Sequence, residues 1–229
     1  ATLTGLARGA AAAIRERLSP DAWRTVTDLA DLLGEAAPEI ETEADALDRA
    51  HQALRLNAAF SGLVNENMNR LVGWRFLDIG RRLERAVLTC RVLRALAEPQ
   101  ATTGVLDALL EVGDSQITYR QRYVLAPARV PVLDLLYLDV NNPRSVAFQA
   151  EELRDHVNRL PGTEIGDVLN EAQRIATRLA ADLRVADARE ITADHVFACE
   201  RDLFRLSDAI SLRYFALPGR ARREAEGWP

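Results

Sequence analysis

Residues 74–86, WRFLDIGRRLERA, set Arg75, Arg81, Arg82 and Arg85 beside Asp78 and Glu84 in a stretch that is otherwise largely apolar. Guanidinium groups present planar forks of donors that grip carboxylates and phosphates two hydrogen bonds at a time. On a helix, Asp78 reaches Arg81 at i+3 and Arg82 at i+4, and Glu84 lies three residues past Arg81. Arg85 has no acid four residues before or after it. Its partner must come from another helix or from a ligand.

Three further patches hold groups of the same chemistry. NENMNR gathers Glu66, Asn67, Asn69 and Arg70 just before Gly73 and Trp74. YRQRY places Tyr119 and Tyr123 on one helical face with Arg120 and Arg122 between them. NNPRS offers Asn142 as a helix cap, Pro143 as the first helical residue, and Arg144 and Ser145 in the first turn, where free backbone N–H groups attract anions. Two readings stand side by side. The charges are buried salt bridges that fix helix register, or they line an arginine-rich pocket for a carboxylate or phosphate.

The elements that position these residues follow from composition and punctuation. Of 229 residues, 48% are hydrophobic and only 6% aromatic; alanine and leucine dominate, which favours helix. All 29 basic residues are arginine, yet the net charge is −5, a poor electrostatic case for nucleic-acid binding. No run approaches ~18 uninterrupted apolar residues, so no membrane span is expected. With no signal peptide read at the start, a cytoplasmic location is the default expectation. Cys90 and Cys199 lie far apart in sequence without metal-binding spacing and read as small buried hydrophobes in a reducing compartment.

Caps and breakers recur along the whole chain. Ser19 and Pro20 open a helix that Gly34 closes, with Pro38 just beyond; Thr42 to Asp45 fits a capping box; Gly73 marks a break; Pro99 ends the arginine-bearing helix. A helix from Thr102 runs to YRQRY, Thr163 caps another, and a last one covers about Thr192 to Phe215. No segment alternates as a strand does. The expectation is all-α: a single helical bundle-like domain of about eight or nine helices with short connections over residues 1–217, and an exposed tail over 218–229.

On a helical wheel, Phe76, Ile79, Leu83, Ala86, Val87 and Cys90 share one side with Gly80, whose missing side chain would admit a neighbouring backbone. Trp74, Leu77, Leu88 and Val92 occupy the opposite side with Asp78, Arg81 and Arg85. A helix apolar on both sides is expected to be surrounded by protein, which forces its charges to pair.

Four segments, ENMNRLVGWRFLDIGRRLERA, YRQRY, VLDLLYLDVNNPRS and LFRLSDAISLRYF, resemble in order the motifs of the alpha-E domain, a bacterial all-helical family named for its glutamate-arginine motif. The likeness runs from about Phe60 to Phe215 and places the motif on Glu84 and Arg85, within Gly80, Arg81, Arg82 and Leu83. The family usually carries an earlier copy of the motif, so the resemblance implies a segment upstream of Ala1 that completes the unit. It also implies a partner, a circularly permuted ATP-grasp protein resembling a peptide or amide ligase, fused or separate. It implies no catalytic residue and no cofactor.

Three functions follow. One is an accessory or substrate-binding domain that acts with such a ligase on a peptide or amino-acid substrate. A second is a stand-alone enzyme using the Glu/Arg/Asn cluster, with Glu84 as a base that flanking arginines would disfavour. A third is a di-iron centre, which wants Glu-x-x-His pairs. His51, His156 and His195 follow Asp48, Leu153 and Thr192 by three residues, so no metal site is expected. His156 reads as part of a solvated face, and His195 as serving the first turn of the final helix.

Overall fold

The sequence folds into helices alone among the residues described by the computed structural model, 2–34, 42–124, 126–162 and 168–216. Packing divides the chain into two units, Ala1–Trp74 and Arg75–Pro229, each with its own core.

The first unit holds α1 (Leu3–Ala13), a 3-10 turn (Arg15–Arg17), α2 (Pro20–Leu33) and α3 (Glu43–Asn67), with the first residues of α4 (Val72–Leu96). Ser19 caps α2 through Ala22 N–H with Pro20 at its first position, and Thr42 and Asp45 close a reciprocal capping box at α3. Helix α2 packs on both α1 and α3. The core is small: Ala11, Leu18, Ala22 and Val26, with Trp23, Phe60 and Leu63 against it. Gly73 lies inside the first turn of α4; the break falls earlier, after Asn67.

The second unit holds the rest of α4 and then α5 (Thr103–Val112), α6 (Gln116–Arg122), α7 (Arg129–Leu133), a π-helical turn (Asp134–Leu138), α8 (Val146–Asn158), α9 (Glu171–Val185) and α10 (Ala193–Tyr214). Buried positions step by three and four, as an amphipathic helix requires: Ala172, Ala176, Leu179 and Leu183 in α9, and Val196, Cys199, Leu203, Leu206 and Ile210 in α10. Arg129 ties two loop ends to this core, donating to the carbonyls of Ala97 (2.8 Å) and Ile191 (2.7 Å).

Several local expectations change. The segment from Thr102 to YRQRY is two helices, because Gly113 caps α5 and Asp114 takes a positive φ of 46°. A side chain at Gly113 would meet Leu136 at 2.8 Å. Asn142 does not cap a helix. Ser145 caps α8, while buried Asn142 donates to Leu135 O (2.9 Å) and Ser115 Oγ (3.2 Å) and so stitches the turn. Arg144 therefore precedes the helix. Gly80 admits no neighbour: a Cβ there meets nothing within 4 Å, and the residue itself is exposed. Nor is α4 enclosed all round, since Leu88 is 51% exposed. Thr163, Pro38 and the tail 218–229 fall outside the described residues.

A helical glycine in open space costs backbone entropy without return. Gly80→Ala is therefore expected to raise stability by about 0.5–1 kcal/mol, whereas Leu203→Ala in the fully buried face of α10 should lose about 2–5 kcal/mol. Urea denaturation of the two variants checks both signs.

Candidate functional site

Asp78 is the most deeply buried acid among the described residues of the second unit, at 1% exposure. Its position on α4 allows no escape to water, so it is saturated by donors instead. Arg81 contacts Oδ1, Arg82 Nε donates to Oδ2 at 3.0 Å, and His156 Nε2 lies 2.8 Å from the same oxygen. The two arginines are the i+3 and i+4 neighbours that the spacing indicates. His156 comes from α8, which brings further groups: Gln149, wholly buried, accepts from Arg82 at 3.2 Å and donates to Pro143 O, and Glu152 pairs with Arg82 at 3.2 Å. Arg75 approaches His156 Nδ1 at 3.4 Å. With Nδ1 accepting there, Nε2 carries the proton that Asp78 accepts. Burial alone would push the Asp78 carboxyl up, but the His156 hydrogen bond and the Arg82 and Arg81 charges outweigh it and hold the group well below the usual carboxylate range.

Asp78, Glu152 and His156 also bring one possible metal-ligand atom each within 4.8 Å of one another. Arg82 spans Asp78 and Glu152, so a guanidinium already supplies the positive charge that a cation would bring, and a metal would have to displace it.

Arg85 sits differently. Among the described residues it makes no ion pair, although it is half-buried. Burial lowers its pKa, and the nearby Arg144, Arg81 and Arg82 charges lower it further, with Glu84 opposing them. Arg85 lines a cavity of about 120 Å3 with Glu84 and Arg144, walled by Leu88, Val92, Leu109 and Leu136. Arg144 is partly neutralised by exposed Asp114, from the turn after α5. At this apolar-walled recess Arg144 is thus paired with Asp114, while Arg85 has Glu84 beside it in the lining but no ion pair among the described residues.

The other predicted residues separate. Glu66, Asn67 and Asn69 are exposed at the end of α3 in the first unit, and Arg70 bonds to Asn65 and lies over the Trp74 ring at 4.2 Å. Tyr119 is buried, and its hydroxyl accepts from Ala128 N–H (3.1 Å) and donates to Ala126 O (3.3 Å), a fixture of the α6–α7 loop. Tyr123 donates to Asp134; burial and that carboxylate push its hydroxyl up to about 12. Arg122 bridges Asp139 and Asp134, and Arg120 is exposed. Asn142 and Ser145 serve the turn before α8. His195 caps α10 with Thr192, as read. His156 is not on a solvated face; it is 5% exposed. The signal for it was present: Gln149, Glu152 and His156 recur at helical spacing beside the buried Ala150, Leu153 and Val157.

An all-helical domain built around a buried acid–arginine network, with a glutamate-arginine pair bordering a cavity, is the class defined so far. The chain matches over residues 1–215 the Alpha-E family, described as an alpha-helical domain with a conserved ER motif, and it belongs to that family. Glu-Arg occurs at 16–17, 84–85 and 200–201; Glu84–Arg85 is the pair that borders the cavity. Uncharacterised proteins of Mycobacterium bovis and Mycobacterium tuberculosis are 30% identical over 229 residues, covering 92% of this chain and 26% of theirs. The chain thus spans about a quarter of the length of those relatives. No solved structure matches it. No helix among the described residues is long and apolar enough to cross a membrane.

Removing the Asp78 carboxylate strands three donors. Asp78→Ala is expected to cost about 3–5 kcal/mol, read by chemical denaturation. Because the folded pKa is depressed, the carboxylate stabilises the fold above its unfolded value near 4, and that stability is lost as pH falls below it. Acid titration of the wild type should show this loss, and a replacement of Asp78 should flatten it.

Proposed function

We propose that this chain is a non-catalytic binding domain that acts with a circularly permuted ATP-grasp amidoligase, fused or separate, and presents Arg85 to a carboxylate of the amino-acid or peptide substrate. The observation that carries the reading is Arg85 itself: a half-buried guanidinium without an acid partner among the described residues, beside Arg144 at an apolar-walled cavity. Amide formation consumes a carboxylate, which is the group that a guanidinium fork holds with two charge-assisted hydrogen bonds. Walls of Leu88, Val92, Leu109 and Leu136 favour a carboxylate on a short aliphatic chain over a strongly hydrated phosphate. The family membership supports the ligase as partner through the resemblance described above.

The reading of the cluster as a stand-alone enzyme meets a chemical obstacle. Glu84, the base that reading names, is exposed on α4 beside Arg85, and Asp78 already accepts from Arg81, Arg82 and His156, which leaves it little capacity to take a proton from a substrate.

Two measurements test the proposal. Co-expressed with an ATP-grasp protein of this kind, the chain should co-elute on gel filtration; consistent separation, both as fused and as separate chains, would contradict the partnership. In calorimetric titration with N-acetylated short aliphatic amino acids, Arg85→Gln should weaken binding roughly 10- to 100-fold, the loss of a charge-assisted hydrogen-bond pair, while Arg120→Gln, on an exposed face, should leave it unchanged.

A further inference from the structure

Cys90 of α4 and Cys199 of α10 are 109 residues apart in the chain, yet their sulfurs approach to 4.0 Å, both buried and both free thiols. The helices that carry them are pinned at the same level. Glu200, next to Cys199, is 5% exposed and accepts from Arg91 Nε at 2.7 Å and Arg94 at 2.6 Å, so α4 cannot slide past α10. Closing the sulfurs from van der Waals contact to bonding distance, about 2.05 Å, asks for small side-chain rotations rather than a change in helix packing.

The two thiols are not equivalent. Cys199 borders a cavity of about 330 Å3 lined also by Tyr137, Asp182, His195 and Asp202, whereas Cys90 lies behind it with no exposure. The Cys90 S–H points at the Cys199 sulfur, and Tyr137 borders the same cavity as Cys199. Cys199 is therefore the sulfur that a small oxidant in this cavity meets first. The hydrogen bond to Cys199 and burial push the Cys90 thiol up, so Cys90 stays protonated.

We propose that Cys90 and Cys199 form a reversible redox latch between α4 and α10, in which a small neutral peroxide entering by the Tyr137 cavity oxidises Cys199 and Cys90 resolves it to a disulfide. In the first step the Cys199 thiolate attacks an oxygen of hydrogen peroxide. The O–O bond breaks, and the departing hydroxide takes up the thiol's proton to leave as water, with a sulfenic acid on Cys199. Cys90 sulfur then attacks Cys199 sulfur, and the sulfenic oxygen leaves with the Cys90 proton as a second water. Two thiols lose two hydrogens and two electrons, and one peroxide becomes two waters. The carboxylates at the cavity, Asp182, Asp187, Glu190 and Asp202, select against anionic disulfides such as oxidised glutathione.

The full chain is treated with hydrogen peroxide, quenched in denaturant with an alkylating agent, and weighed intact and after proteolysis. The expected result is loss of two hydrogens, no alkylation, and one peptide pair joining Cys90 to Cys199 that dithiothreitol releases; oxidised glutathione should produce it far more slowly. In Cys90→Ala, Cys199 should run on to a sulfinic acid; in Cys199→Ala, Cys90 should stay alkylatable after denaturation. Two alkylated thiols in the peroxide-treated wild type, or a sulfinic acid at Cys199 while Cys90 remains alkylatable, would overturn the proposal. Should either variant fail to fold, the wild-type peptide map decides alone.

Discussion

A carboxylate at 1% exposure has to be compensated where it stands, and the second unit is arranged around that requirement at Asp78. Two donors arrive from its own helix and one from α8, and the α8 donor fixes the register of the two helices against each other. Gln149 and Glu152 then absorb what remains of Arg82. The result is a network that saturates Asp78 and Arg82, while the buried Nε of Arg81 has no hydrogen-bond partner among the described residues. Breaking any one of its charges would leave another buried and unpaired.

Closure at Asp78 has an electrostatic consequence one turn along. Four arginines on this stretch of α4, Arg75, Arg81, Arg82 and Arg85, face two buried or half-buried acids, Asp78 and Glu152. Arg81 and Arg82 consume those acids, which leaves Arg75 against His156 Nδ1 and Arg85 beside the cavity, neither in an ion pair among the described residues. At the far end of α4 the same device is balanced differently: Glu200 takes both Arg91 and Arg94, which leaves no comparable vacancy and instead clamps α10 in place. One helix thus carries a saturated acid, an unsatisfied base and a clamp, spaced by its turns.

What was legible in the sequence was local. Asp78 with Arg81 and Arg82 follows from i+3 and i+4 spacing, and Ser19, Thr42 and Thr192 cap the helices that their positions indicate. The all-helical class follows from composition and from the absence of alternating segments. What escaped was of longer range. His156 comes from 78 residues away to meet Asp78, and Cys90 meets Cys199 across 109; periodicity on one helix says which face is buried but not what lies against it. Asn142 looked like a cap because Asn-Pro-Arg-Ser has the composition of one, yet its amide is worth more stitching the Leu135 and Ser115 turn, and Ser145 caps instead. Gly80 looked like a packing contact because it shares the wheel with core residues, but it stands at the edge of that face with open space beyond.

Arg82, saturated by Asp78, Glu152 and Gln149, and Arg85, without an ion pair among the described residues, are neighbouring arginine environments that side-chain NMR distinguishes directly. With the Nε–H resonances of the arginines assigned, a short aliphatic N-acetyl amino acid is titrated into the full chain. The Arg85 resonance should move saturably while that of Arg82, whose Nε–H is held by Asp78, stays in place. An Arg85 resonance that does not move, or one that moves no more than every exposed arginine, would contradict the reading of this cavity as a carboxylate site.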